Sequence, residues 1–457
     1  MSEIRELLTQ TSGIAADFLE SLDERPVLPD IDIQALRKGL GGPLPEGPSS
    51  PRDVISELAA HSDAGLSGMP GGRWFGFVLG GSVPAALAAD WLATAWDQNA
   101  GLFAPAPAAG VIEEVAGEWL RELFGLPEGI SFGFVTGGQM ANFTCLAAAR
   151  HHVLAAHGWD VERDGLFGAP PVNIVAGAKR HATIDRSLRF LGIGTGAIVE
   201  VAADDQGRLV TDALAAALDA LTGPTVVCAQ VGEVNTGAFD ALGPIADMAY
   251  EQEAWLHVDG AFGLWAAASP SLRHLVENIE LADSWGTDAH KWLNVPYDCG
   301  VAFCRHPVSH RAAMGIQAAY LVQAAEGGPR DQLDWNPEFS RRARGFAVYA
   351  ALRSLGRQGI AELVERCCAH ARRFAEGLAE LPGCEVLNEV VLNQTLIRFE
   401  TDERTDAVMA AVQKSGEAWM SGTTWDGRKA IRLSVSNWQT NEHDVERTMA
   451  AFAAAVA

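Results

Sequence analysis

An α/β fold, with a mostly parallel seven-stranded sheet, helices on both of its faces and a smaller α+β C-terminal domain, follows from three observations. Short and almost wholly apolar runs alternate with helix-like segments through the middle of the chain. The pattern changes after Trp335-Asn336-Pro337, where long helical runs and fewer strands follow. A length of 457 residues favours one large domain with smaller companions.

Each element has its reason. The strand candidates are Ile130–Val135, Val172–Ala176, Ala197–Val201, Thr225–Gln230, Trp255–Val258, Leu281–Trp285 and Gly300–Cys304. Helical segments Gln139–Leu154, Thr183–Leu191, Thr211–Leu221 and Leu242–Glu253 lie between several of them. Strands without polar alternation are buried on both faces, which is the habit of parallel sheets. The first residues read as a helix, ended by a Pro/Gly-rich linker from Gly41 to Pro51. After Pro337 two helices are expected, Ser340 to about Gln358 and Gly359 to about Leu378. Strands Glu385–Leu387, Gln394–Glu400 and Ala430–Val435 and helices Thr405–Ser415 and Glu442–Val456 complete the C-terminal part. The expected division is an N-terminal helical segment with linker (1–60), a large α/β domain (61–335) and a small α+β domain (336–457).

Composition narrows the functions. A formal charge of -24 gives no attraction to phosphate backbones or anionic membranes, so neither nucleic acid nor membrane is an expected partner. The seven scattered cysteines read as reduced core residues of a cytoplasmic protein, and Cys299 and Cys304 lack a second pair with zinc spacing, so no metal is expected. Met1 to Glu20 lacks the basic and apolar regions of a signal peptide, and no run reaches the ~18 apolar residues of a spanning helix.

The chemistry-bearing residues follow strand candidates, where open α/β sheets bind ligands. Lys291 stands in Asp288-Ala289-His290-Lys291-Trp292, and Asp259 ends the run Trp255-Leu256-His257-Val258-Asp259. A lysine in a turn is most often solvated, and an acid at a strand end often caps a helix or pairs with a cation. Together, however, they supply what pyridoxal 5′-phosphate (PLP) needs: an amine for a Schiff base and an acid for the ring nitrogen. Gly137-Gly138 lies between a strand and a helix, where backbone N–H groups bind phosphate. No Lys-Ser/Thr follows, as a P-loop would require, which ranks an unrelated nucleotide-binding enzyme last among the alternatives. His181 follows the next strand and could stack on a ring, cap a helix or fill the core. Asn235 and Thr236 could touch ring substituents or simply form a turn.

Three segments, His257-Val258-Asp259-Gly260-Ala261, Asp283-Ser284 with His290-Lys291-Trp292, and Gly137-Gly138-Gln139-Met140-Ala141-Asn142, resemble the group II PLP-dependent decarboxylases. The resemblance runs from about Gly72 to the C-terminus. It implies the type I PLP-dependent transferase-like fold, an amino-acid substrate and a homodimer with active sites at the interface. It makes Lys291 the Schiff-base lysine and Asp259 the partner of the pyridine nitrogen, with Ala261 against the ring and His181 on its other face. Gly138, Gln139, Ser284 and His290 would line the phosphate and the neighbouring ring edge, Gln139 bringing an amide in place of the family's small hydroxyl residue. Trp74, Phe75, Phe77 and Phe103 resemble the substrate-pocket wall, and Arg432 a C-terminal arginine of the family.

One departure bears on the reaction. The family's decarboxylases carry a loop tyrosine that returns a proton to the substrate carbon. Here the stretch Glu326-Gly327-Gly328-Pro329-Arg330-Asp331-Gln332-Leu333-Asp334-Trp335 has none, which leaves Tyr320 and His181 as substitutes. Decarboxylation is the first expectation. Carbon–carbon lyase or aldolase, decarboxylating aldehyde synthase and aminotransferase chemistry are the alternatives on the same cofactor, and a non-catalytic PLP-binding protein is the alternative outside enzymes.

Overall fold

The computed structural model describes residues 2–316 and 328–457. Twelve strands occur among them: β1 (Trp74–Phe75), β2 (Ser131–Val135), β3 (Asn173–Gly177), β4 (Ile198–Val201), β5 (Thr225–Gln230), β6 (Trp255–Asp259), β7 (Ser284–Asp288), β8 (Gly300–Cys304), β9 (Glu385–Val386), β10 (Gln394–Arg398), β11 (Trp419–Trp425) and β12 (Arg428–Ser434). Seven of them form the large sheet in the order β2-β8-β7-β6-β5-β3-β4. Only β8 runs against its neighbours, so β2 and β7 point the same way as β3, β5 and β6.

Period-two alternation explains why these strands need cover on both sides. Ile174, Ala176, Val226 and Cys228 join one apolar cluster with the helices Gly138–Ala156 and Ala182–Phe190. Val175, Val227 and Ala229 face the main core on the opposite side. Each strand is thus apolar on successive residues, and the sheet is a sandwiched layer. The smaller sheet has the order β1-β11-β12-β10-β9. Trp74 and Phe75 supply its edge by pairing with Trp419 and Met420, so a segment distant in sequence closes the C-terminal sheet.

Several expectations are corrected. The two helices expected after Pro337 are present within the span Gly345–Ala379 and meet at Gly356 (φ 61°, ψ -179°), a geometry that glycine tolerates, but the first begins at Gly345 and not at Ser340. β7 begins at Ser284, not Leu281, because Ile279–Leu281 forms a 3₁₀ turn. Its sequence Ser-Trp-Gly-Thr-Asp has little strand character, yet all five residues are buried. The helices Pro84–Trp96 and Pro107–Phe124 and the strand Trp419–Trp425 were not expected. The helical N-terminus is three helices, Glu3–Glu20, Ile33–Leu40 and Pro51–Ser62, none burying a residue within this chain. Gly41 to Ser50 carries no regular structure.

Two core histidines make stability pH-dependent. Burial pushes His257 down to about 4 and His310 down to about 3, from an ordinary value of 6.5. The unfolded chain takes up these protons at about pH 6.5 while the folded one does not, so stability falls as pH drops below that, by roughly 1.4 kcal/mol per pH unit per histidine. Asp240, raised to about 6 by burial, acts in the opposite sense as pH falls below that value. The two histidines outweigh it, and denaturant unfolding at about pH 5 should show a midpoint below that at about pH 7. An unchanged or higher midpoint would contradict this assignment.

Candidate active site

The C-terminal ends of β2, β5, β6 and β7 converge, and the turns after them bring Gly137, Asp259, Asp288 and Lys291 into one region. Lys291 lies in the four-residue helix Ala289–Trp292 that follows β7 directly. Its Nζ is 2.9 Å from Asp288 Oδ2 and 6.0 Å from the Phe262 ring centre. Asp288 stands at the middle of the site: His290 Nε2 is 3.5 Å from its Oδ1, and the Gly138 N–H donates to the same oxygen. Sequence reasoning assigns Asp288 no role. The one signal in the sequence is a carboxylate three residues before a lysine, and its burial is seen only in the structure.

Asp259 ends β6 and is 5% exposed. Its Oδ2 accepts from Asn142 Nδ2 at 3.0 Å and its Oδ1 from the Ala261 N–H at 3.2 Å. His181 caps the helix Ala182–Phe190, and its field includes Asp259, Lys291, Asp288 and Arg432, so all belong to one electrostatic site. Burial lowers its pKa, against the raising pull of Asp259. Burial likewise lowers that of His290 despite Asp288. Tyr297, which no sequence argument singled out, lies against His290 with ring centres 4.5 Å apart. Its phenol is pushed up to about 12, by burial first and Asp288 second.

Gly137 (φ +145°) and Gly138 form a tight cradle. A Cβ on Gly137 would lie 2.9 Å from His290 Cε1, and one on Gly138 would lie 2.7 Å from Asp288 Oδ2. A start of a 19-residue helix held bare of side chains beside an amine, two histidines and a buried carboxylate is chemistry that fits PLP.

Four expected cofactor contacts are placed otherwise. The Gln139 amide turns to the neighbouring helix, donating to Ser187 Oγ at 2.9 Å and the Thr183 carbonyl at 3.3 Å, so it is not free for a phosphate. Ser284 opens β7 at the other end of the strand, where its hydroxyl bonds His257 Nδ1 at 3.0 Å and accepts from Trp255 Nε1 at 2.9 Å. Asn235 and Thr236 form a turn around Glu233: both N–H groups donate to its carboxylate, at 2.6 and 2.8 Å. Thr236 is fully buried, with its hydroxyl on the Gln206 carbonyl at 2.7 Å. Glu233 was also missed. Burial raises its pKa, and it is the charge facing the buried guanidinium of Arg432.

The aromatic wall divides. Trp74 stacks on Trp419 (centres 4.4 Å, planes 17° apart), and Phe77 lies against the same indole at 5.6 Å. The Phe77 N–H donates to Ser421 Oγ at 2.9 Å, and Ser421 is the register partner of Arg432. Arg432 donates to the Val234 carbonyl at 3.1 Å, and its buried Nε has no partner. The same segment then reaches Lys291: Val83 donates to the Asn294 carbonyl, and Asn294 Nδ2 to the Lys291 carbonyl. Phe75 instead faces the core, edge-on to Phe374 at 5.0 Å. Phe103 lies apart, beside Gly110, with its N–H on Asp331. Tyr320 and residues 326–327 fall outside the described residues; Gly328 to Trp335 contain no tyrosine. Among the described residues no group of three His, Cys, Asp or Glu could hold a metal ion, and no helix is long and apolar enough to cross a membrane.

Known proteins match this chain along nearly its whole length. Tryptophan decarboxylase 1 of Oryza sativa subsp. japonica is 28% identical over 479 residues, covering 97% of this chain and 91% of its own. The aromatic-L-amino-acid decarboxylase of Bacillus atrophaeus is 27% identical, covering 98% and 94%. The 4-hydroxyphenylacetaldehyde synthase of Rhodiola rosea is 25% identical, covering 97% and 94%. The fold is that of Oryza sativa TDC solved with PLP and tryptamine (TM-score 0.93, 24% identity, 99% and 97% covered) and of mouse CSAD (TM-score 0.91, 22% identity, 99% and 98% covered). The pyridoxal-dependent decarboxylase conserved domain itself matches residues 44–401, and with that the chain belongs to the pyridoxal-dependent decarboxylases, lyases that use PLP to remove the carboxylate of an amino acid.

Proposed function

We propose that this decarboxylase acts on an aromatic amino acid, with its cofactor carried on Lys291, the ring nitrogen facing Asp259 and a ring face against His181. The observation that carries the substrate class is the Trp74–Trp419–Phe77 stack, tied through Ser421 to Arg432 and through Asn294 to Lys291. Relatives named as tryptophan, tyrosine and aromatic-L-amino-acid decarboxylases support it.

PLP bound in this site supplies a conjugated ring that accepts the electron pair left by the departing carboxylate. The rest is the work of the chain's own residues. Asp259 keeps a proton on the ring nitrogen, so the ring remains an electron acceptor. Gly137, Gly138 and His290 receive the phosphate end, and Ala261 adjoins the ring. Asp288 positions the Lys291 amine. Arg432 borders the pocket with a desolvated guanidinium, a group suited to a carboxylate. Lys291 and His181 are the groups in the described site that return a proton to the α-carbon.

A second product is favoured by one observation, the lack of tyrosine between 326 and 335. Without a dedicated acid, the carbon left by decarboxylation can be oxidised to an aldehyde. That route consumes water, whose oxygen becomes that of the aldehyde, and dioxygen as two-electron oxidant, and it releases ammonia and hydrogen peroxide. Two relatives are named as aldehyde synthases. One experiment decides both matters: incubate holoenzyme with tryptophan, tyrosine, phenylalanine, glutamate and alanine, and measure carbon dioxide, amine, aldehyde and peroxide. Aromatic substrates should lead, with carbon dioxide matched by amine. Trp419→Ala should lower kcat/KM for tryptophan by about tenfold or more, and much less for alanine. Preference for glutamate overturns the substrate class; aldehyde with stoichiometric peroxide overturns the amine product.

The assembly is proposed to be a homodimer in the cytoplasm, with active sites at the interface. No residue of the N-terminal helices is fully buried within the chain, and Ile4, Leu8, Ile33 and Leu58 are all more than 50% exposed. Apolar faces of this kind ask for a second copy. Light scattering should give twice the chain mass of 48.6 kDa, and a monomer overturns the proposal. The seven cysteines are all free and six are buried, which supports a reducing compartment. Recovery of the protein outside the cytoplasm on cell fractionation overturns that location. The division at residues 60 and 335 is retained as a working boundary, with β1 crossing it.

A further inference from the structure

The strand β6 carries Trp255, His257 and Asp259 on one face, since side chains two apart point the same way. Beneath Asp259 this face is polar, although it is fully enclosed: Trp255, His257, Ser284 and Asn142 are each 2% exposed or less. A buried polar row of this length is costly unless every group is satisfied. Here each contact has only one chemically consistent direction.

The indole Nε1 of Trp255 can only donate, and it gives its proton to Ser284 Oγ at 2.9 Å. Ser284 then has its own proton for His257 Nδ1, 3.0 Å away. His257, neutral in this enclosure, carries its hydrogen on Nε2, which donates to Asn142 Oδ1 at 3.1 Å, because the Asn142 amide nitrogen is turned to Asp259 and only its oxygen faces the ring. That orientation leaves the Asn142 amide nitrogen to donate to Asp259 Oδ2 at 3.0 Å and to Thr183 Oγ1 at 3.1 Å. Reversing the amide would set oxygen against a carboxylate. Thr183 hands the direction on: its hydroxyl meets His181 Nδ1 at 2.8 Å and its N–H donates to the same nitrogen at 3.3 Å. His181 Nδ1 is thereby an acceptor, and its hydrogen lies on Nε2.

We infer that Trp255, Ser284, His257 and Asn142 form a one-way hydrogen-bond chain that holds Asp259 as a charged acceptor and, branching through Thr183, fixes His181 as its Nε2–H tautomer. These are positioning residues: none of their roles requires contact with the substrate. The chain runs from the far end of β6 and β7 to the catalytic end, and it gives Ser284 a place in the reaction other than at the phosphate. The inference rests on Asp259 facing the cofactor's ring nitrogen, as proposed above.

Two measurements test it. The first uses the apo chain labelled with ¹⁵N-histidine, in which long-range ¹⁵N–¹H correlation at about pH 7 reads the tautomers directly. Hydrogen on Nε2 of both His257 and His181 is expected; hydrogen on Nδ1 of His257 overturns the inference. The second is PLP affinity, measured by titrating the apo chain and following protein fluorescence. His257→Leu and Asn142→Leu should each weaken binding by about tenfold or more, the effect of losing a hydrogen bond to a charged group. His257→Gln should retain affinity within about threefold, because its amide can accept from Ser284 and donate to Asn142. Equal losses in His257→Gln and His257→Leu, or no loss in either, overturn the chain. If a leucine variant does not fold, the tautomers of the unaltered protein decide alone. Asp259→Asn separates the two readings. If it leaves affinity untouched, the placement of Asp259 fails; if it weakens binding while the chain variants do not, only the chain fails.

Discussion

Lys291→Ala is expected to cut amino-acid decarboxylation by at least about 10³-fold, because it removes the lysine that follows β7, the amine proposed to carry the cofactor. The loss should fall on kcat and kcat/KM together. Asp288 lies 2.9 Å from the amine and 2% exposed, so the variant also leaves a buried carboxylate without its nearest cation. Some loss of thermal stability without PLP should accompany the loss of turnover. Treating the holoenzyme with borohydride should fix PLP to Lys291 irreversibly, found by mass spectrometry on the peptide holding His290 and Trp292. Cofactor fixed on another lysine, or turnover in Lys291→Ala above about 1% of the parent, would remove Lys291 from its role.

Asp259→Asn has the second largest expected effect. The substitution keeps the shape and can still meet the Ala261 N–H, but it takes away the negative charge proposed to face the ring nitrogen. Removing one partner of a buried charge pair costs about 3–5 kcal/mol, which corresponds to roughly 10²–10⁴ in rate. The kcat should fall while KM for the amino acid changes little, since Asp259 acts on the cofactor's electron demand and not on the substrate side chain. Asp259→Glu should also be poor, because Asp259 ends β6 with both oxygens engaged and a longer side chain has no room to keep them. Steady-state kinetics on PLP-saturated protein checks this. A kcat within about threefold of the parent in Asp259→Asn would remove the ring-nitrogen assignment.

The amino-acid sequence by itself determined the sheet layer and pointed to the main residues proposed for the reaction. Six mostly apolar runs became six strands of the large sheet with nearly the expected bounds, because a strand covered on both faces needs no partner to reveal it. Lys291, Asp259, His181 and the glycine pair were legible for a related reason. Each directly follows or ends such a strand, and open α/β sheets gather ligands there.

What only the tertiary structure decided concerns directions and distant pairings. Ser-Trp-Gly-Thr-Asp carries no strand pattern, yet β7 exists because β6 and β8 flank it. Trp419–Trp425 became a strand by pairing with β12 and with Trp74 and Phe75, some 345 residues away, and that pairing built the aromatic stack. Gln139, Ser284, Asn235 and Thr236 stand close in sequence to the site, but their polar atoms are taken by Ser187, by His257 and Trp255, and by Glu233. A motif places a residue along the chain; where its side chain points depends on which buried polar groups need a partner, and those needs arise only once the strands are packed together.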